Sequence, residues 1–152
     1  IKSLDEKLIS WMNFCLKKDT NIKFVIKPHP ILPIDKLENY NKNFLNSRCE
    51  IINENIYQIL KKTEILISSG PTGVIFESLI YGCKLFYIVL DPSDLLMFKN
   101  IPNKNNYLLI KDKKSLLKSL KIWKDKRFIK RENKLKDLFF TKINNKNVSI
   151  FY

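Results

Sequence analysis

The chain has 152 residues, with 28 Lys and Arg against 15 Asp and Glu, for a formal charge of +13. Hydrophobic residues make up 45% and aromatics 12%, which argues against a disordered chain and suits one domain with a single core. No uncharged apolar run of ~18 residues occurs, and no basic start leads into an apolar segment, so neither a membrane-spanning helix nor a signal peptide is expected.

Leu4, Leu8, Ile9, Trp11, Met12, Cys15 and Leu16 recur at helical spacing and predict an amphipathic helix over 3–18. Residues 22–27 alternate and are rich in β-branched side chains, which predicts a strand. Pro28-His29-Pro30 stops it, because proline lacks an N–H and restricts the residue before it. Residues 34–44 read as a weaker helix or irregular segment. A short strand follows at 49–52. Ile56, Ile59 and Leu60 then mark a short helix, with Asn53 or Glu54 near its N-cap. Residues 64–68 form an apolar strand of the kind buried on both faces.

Ser69-Gly70-Pro71-Thr72-Gly73 is a turn, and Val74, Ile75, Leu79 and Ile80 continue as a helix that Gly82 ends. Residues 84–90 are a strand, 91–106 a loop holding Pro92 and Pro102, and 107–110 a last strand. Leu116, Leu117, Leu120 and Trp123 place a helix over 113–124, and a second basic helix is expected over about 128–140. Strands alternating with helices predict an α/β fold. Right-handed crossovers make it a Rossmann-like, doubly wound parallel sheet in one domain over 1–152.

The charge is unevenly spread. Residues 111–146 hold 14 basic and 4 acidic side chains, net +10, and residues 1–110 hold 14 and 11, net +3. The chain has 25 Lys, 3 Arg and no Ala, a bias that AT-rich coding also produces. Two readings of the basic end stay open. Lysine simply solvates the outer helix faces, the reading slightly preferred, or residues 111–146 rest on an anionic membrane surface. Nucleic-acid binding is disfavoured, because the aromatics there follow core spacing rather than forming a stacking platform. Cys15, Cys49 and Cys83 are widely spaced and the chain has one His, so reduced thiols are expected and no metal site.

Ligands of doubly wound sheets bind at the carboxyl ends of the strands. Two polar clusters fall there: Lys27-Pro28-His29-Pro30, and Ser68-Ser69-Gly70-Pro71-Thr72-Gly73. The second is a Gly-rich turn opening a helix, which suits an anion, although an ordinary capped helix with Ser69 or Thr72 as N-cap reads equally well. His29 sits rigidly between two prolines at a strand end, where an imidazole can donate to a phosphate or move a proton. Lys27 points either to the same mouth or into a helix layer. Glu77 lies about one and a half turns into the helix, either as a solvated residue or as a ribose acceptor.

KPHP after a strand, followed by ILISSGPTGVIFESLIYGCKLFYI, resembles the donor-binding C-terminal domain of GT-B glycosyltransferases. The similarity is to bacterial enzymes of capsule and surface-polysaccharide synthesis: sialyl- and polysialyltransferases, and teichoic-acid glycerophosphotransferases. The resemblance implies a nucleotide donor, such as CMP-sialic acid or CDP-glycerol, as substrate, with no separate cofactor. It implies that His29, Ser68 or Ser69, and Thr72 hold the donor phosphate, that Glu77 holds the ribose, and that Lys27, Gly70 and Gly73 complete the site. His29 would also be catalytic, donating a proton to the departing phosphate. The acceptor would be a glycan or a lipid-linked glycan. A GT-B enzyme also has an N-terminal acceptor domain, so the chain is expected to be a fragment of a longer, cytoplasmic enzyme, with peripheral attachment to the inner face of the membrane resting on the open reading of residues 111–146.

Overall fold

The computed structural model describes residues 2–28, 48–101 and 104–125. The expected helices at 34–44 and 128–140, and His29, lie outside them. Element order is α1 (Lys2–Lys18), β1 (Phe24–Ile26), β2 (Cys49–Ile51), α2 (Ile56–Lys62), β3 (Ile65–Ser69), α3 (Val74–Ile80), β4 (Lys84–Ile88), 3₁₀ segments Pro92–Asn100 and Lys104–Asn106, β5 (Tyr107–Ile110) and α4 (Lys113–Asp125). The chain is a mixed α/β protein in which every strand pair is parallel. The strands form two small sheets, β1-β2 and β3-β4-β5.

Alternation along the strands builds two cores. Phe86 and Ile88 of β4, with Ile110 of β5, face Trp11, Met12, Cys15 and Leu16 of α1 and Leu116 of α4. Phe24 of β1 is buried in the same cluster, and Ile26, Ile65 and Ile67 pack against it. On the opposite side, Leu85 and Tyr87 meet Ile75 and Leu79 of α3, with Phe98, Ile101 and Tyr107. The period of two thus puts helices on both faces of the three-stranded sheet. All five residues of β4 are buried, as its central position requires.

The ends of the elements follow local chemistry. Gly82 has φ +75, the left-handed conformation glycine adopts without strain. Cys83 N donates to Ser78 O at 2.9 Å and Gly82 N to Leu79 O at 3.1 Å, which closes α3 as a Schellman motif. Asn55, rather than Asn53 or Glu54, caps α2, its side chain accepting from Tyr57 N at 2.9 Å. Residues expected as a loop after β4 form the 3₁₀ segment Pro92–Asn100, opened by a capping box between Asp91 and Asp94 with Pro92 in its first turn. Arg48 ties α1 to the strands, donating to the carbonyl oxygens of Leu16, Asp19 and Ile22. Its charge meets the negative end of the α1 dipole.

Lys84 is only 5% exposed. Its ammonium donates to the Asn105 carbonyl and stands 4.8 Å from the centroid of the Trp123 ring. A carbonyl and an aromatic face replace much of the water the cation gave up.

Candidate functional site

The candidate site is the turn between β3 and α3. Parallel pairing sends the carboxyl ends of β3, β4 and β5 to one edge of their sheet, and this turn leaves β3 there. Ser68 and Ser69 are the last residues of β3 and both are half-buried. Ser68 is in register with Tyr87 and Ser69 with Ile88. Because strand side chains alternate, the two hydroxyls serve opposite faces of the sheet: Ser68 the α3 side, Ser69 the α1 side. The serine pair is therefore not one double-handed ligand.

Gly70 has φ +76, and a Cβ added there would meet nothing within 4 Å. The turn needs glycine for its backbone conformation rather than for space. Gly73 is the N-cap of α3 in ordinary right-handed conformation, φ −58, and no side chain caps it. The alternative in which Ser69 or Thr72 is the N-cap is thus corrected, although Thr72 Oγ1 does accept from Val74 N at 3.4 Å. Thr72 O accepts from Ile75 N, and Gly73 O accepts from Phe76 N and Glu77 N. The first-turn amides of α3 are consumed within the turn. What remains to meet a ligand is the segment 68–73 itself, through its hydroxyls and backbone.

Glu77 is half-buried on α3, and its Oε1 accepts from the Tyr57 hydroxyl of α2 at 3.3 Å. Lys27 follows β1, half-buried, and its Nζ donates to Asn53 Oδ1 at 3.1 Å. Asn53 follows β2, so Lys27 stays at the carboxyl edge of the first strand pair. Segment 68–73 and Glu77 are thus held by one turn and helix, and Lys27 stands at the end of another strand. His29, the proposed proton donor, lies outside the described residues. Among the described residues no group of three His, Cys, Asp or Glu is placed to hold a metal ion.

No protein-family model, curated protein or solved structure matches this chain. Function therefore rests on the residues themselves.

The structure adds residues that sequence alone assigned no role in the site. Tyr57 and Asn53 hold Glu77 and Lys27 through contacts 20 and 26 residues apart, which no local pattern encodes. Tyr87, opposite Ser68, has a buried hydroxyl that closes no hydrogen bond of normal geometry. Burial first, and then the neighbouring Asp94 carboxylate, push its phenol up to about 12, while the Gly70 amide acts the other way. Asp94 and Gly70 are near enough to act on this hydroxyl electrostatically without completing a bond. The Asp91-Pro92-Ser93-Asp94 spacing, a capping-box signal, was the legible sign that a structured segment stands there.

Proposed function

We propose that the chain is the nucleotide-donor-binding lobe of a GT-B glycosyltransferase, transferring a sugar from a nucleotide sugar to a surface glycan. The supporting observation is the hydroxyl-rich turn at 68–73, with a left-handed glycine, leaving a parallel strand at the sheet's carboxyl edge and followed by the tethered carboxylate of Glu77. The reading joins the two sheets into one doubly wound, Rossmann-like sheet with β1 beside β3. Ile26 of β1 and Ile65 and Ile67 of β3 packing against one shared core supports that order. The segments after β1 and β3, carrying Lys27 and His29 on one side and Ser68 to Gly73 on the other, would then flank the switch point where such sheets take ligands.

In this site the turn's hydroxyls and backbone amides meet the donor phosphate and stabilise the charge that grows as the sugar leaves. His29 donates a proton to the departing phosphate. Glu77 accepts from the ribose hydroxyls, its carboxylate steadied by Tyr57. The acceptor hydroxyl is activated by a base from another domain.

Calorimetric titration of the chain with CMP, CDP and UDP tests the reading. Binding that Ser69→Ala and His29→Ala each weaken supports it. Binding of all three nucleotides that neither substitution changes overturns the phosphate site.

A further inference from the structure

Helix α4 carries a large apolar side chain, Ile122, outside the stripe that a surface helix turns to its core. Leu116 is buried in the core that α1 shares, and Leu117, Leu120 and Trp123 pack against it. Lys114, Leu117, Lys118, Lys121 and Ile122, spaced i, i+3, i+4, i+7 and i+8, line an open cavity of about 340 Å³, with Leu117 at the edge of the core stripe. Ile122 is 44% exposed. Lys114, Lys118 and Lys121 are exposed, and none pairs with a carboxylate among the described residues. The nearest acid in sequence, Asp112, is taken up at the helix start: its Oδ1 accepts from the amides of Lys114 and Ser115, each at 2.9 Å. Lys113 turns inward, its ammonium 5.0 Å from the centroid of the Phe14 ring.

We infer that this face of α4 binds an anionic lipid surface. Charge complementarity commits it to that occupant. Three cations surround an apolar floor, so the partner must offer anions and hydrocarbon together, as a leaflet of acidic lipids does. Lysine stems lie along apolar surface and lift their heads to the phosphates, while Ile122 meets the acyl boundary. A nucleic acid would supply the anions but has no use for the exposed Ile122, and no aromatic ring lines the cavity for a base to stack on. The inference does not depend on the donor site, with which it shares no residue.

Flotation of the whole chain with two kinds of vesicle tests it: phosphatidylcholine alone, and phosphatidylcholine with about one-third phosphatidylglycerol. The chain is expected to float only with the phosphatidylglycerol vesicles, and less as salt rises. Each lysine near an anionic leaflet adds about fivefold, so the triple variant Lys114→Gln, Lys118→Gln, Lys121→Gln is expected to lose about a hundredfold in partition. Ile122→Asn, at unchanged charge, is expected to lose severalfold. Circular dichroism should match wild type for both variants, since the substituted side chains are exposed. Equal partition into both vesicle types overturns the proposal, as does full binding by the triple variant. Binding that Ile122→Asn leaves intact and that arbitrary duplex DNA abolishes assigns the face to polyanions and overturns it too.

Discussion

Tyr57 donates its hydroxyl to Glu77 Oε1 at 3.3 Å, and its ring stands 6.2 Å from that of Tyr81. Glu77 and Tyr81 are four residues apart and so share a face of α3. One aromatic side chain from α2 thereby contacts two positions on the helix that opens at the candidate turn. The carboxylate assigned to the ribose is a positioned group rather than a free surface charge. Tyr57→Phe keeps the ring and removes the tether. It is expected to leave stability within about 0.5 kcal/mol and to weaken nucleotide binding roughly tenfold, read by urea denaturation and calorimetry. Unchanged affinity would remove Tyr57 from the site and leave it a structural contact.

The two glycines of the turn should respond in opposite ways. Gly70→Ala places a side chain at φ +76 and is expected to cost about 1–2 kcal/mol, although nothing blocks the new methyl. Gly73→Ala, at φ −58 with open space around it, is expected to be neutral or to gain about 0.5 kcal/mol from a stiffer unfolded chain. If the backbone of this turn approaches a phosphate closely, Gly73→Ala also lowers nucleotide affinity while the protein stays as stable. Chemical denaturation beside a titration separates the two effects.

The helical layer of α1 and α4 should be the main support of the sheet's first face. Leu116 is fully buried there, and Leu116→Ala is expected to cost roughly 2–5 kcal/mol. Ile122→Ala, one turn and a half later on the exposed side, should stay within about 0.5 kcal/mol. Equal losses from the two would contradict the two-faced packing of α4.

The thiols should be slow to react. Cys15 and Cys49 are each pushed up to about 11 by burial, and Cys15 has no exposed surface. At pH 8 only about a thousandth of either is thiolate, so alkylation by iodoacetamide should lag well behind a free thiol. Urea should restore ordinary rates. Fast modification of Cys15 in the native protein would place that thiol outside the core.

Acid should loosen the start of α4. The Asp112 carboxyl is held below its ordinary value, first by the Ser115 hydroxyl and then by the Ser115 amide. A folded value below the unfolded one means the stabilisation is full above the ordinary carboxylate range and is lost as pH falls through the depressed value. Asp112→Asn keeps an acceptor but removes the titration. The urea midpoint of wild type should therefore fall more steeply below pH 4 than that of the variant.

Much of the α/β order was legible because it depends on short-range chemistry. The 3.6-residue period of Leu8, Trp11, Met12 and Cys15 gave α1, and Gly82 marked the end of α3. The bounds moved where pairing, not composition, sets them. β1 is three residues because only Phe24–Ile26 find partners on β2. The 3₁₀ segment differs from the expected loop because Asp91 and Asp94 form a capping box around Pro92, although Pro92 and Pro102 by themselves are loop signals. In the site, Ser68, Ser69, Gly70, Thr72, Gly73 and Glu77 are legible because they lie within one short stretch, 68–77. The site contacts of Tyr57, Asn53 and Tyr87 are not legible there, since they arise only when separate helices and strands pack together.

The charge of +13 has a narrower meaning once the helices are packed. Sequence alone determined that the excess lies in 111–146 and that α4 would be amphipathic, because spacing and side-chain type are local properties. Tertiary structure decided which side of α4 the core consumes. Leu116, Leu117, Leu120 and Trp123 are drawn in by the sheet and α1, leaving Lys114, Lys118, Lys121 and Ile122 together outside. It also decided that Ser68 and Ser69 part to opposite faces, because the pleat of β3 fixes direction only after β4 has fixed the sheet.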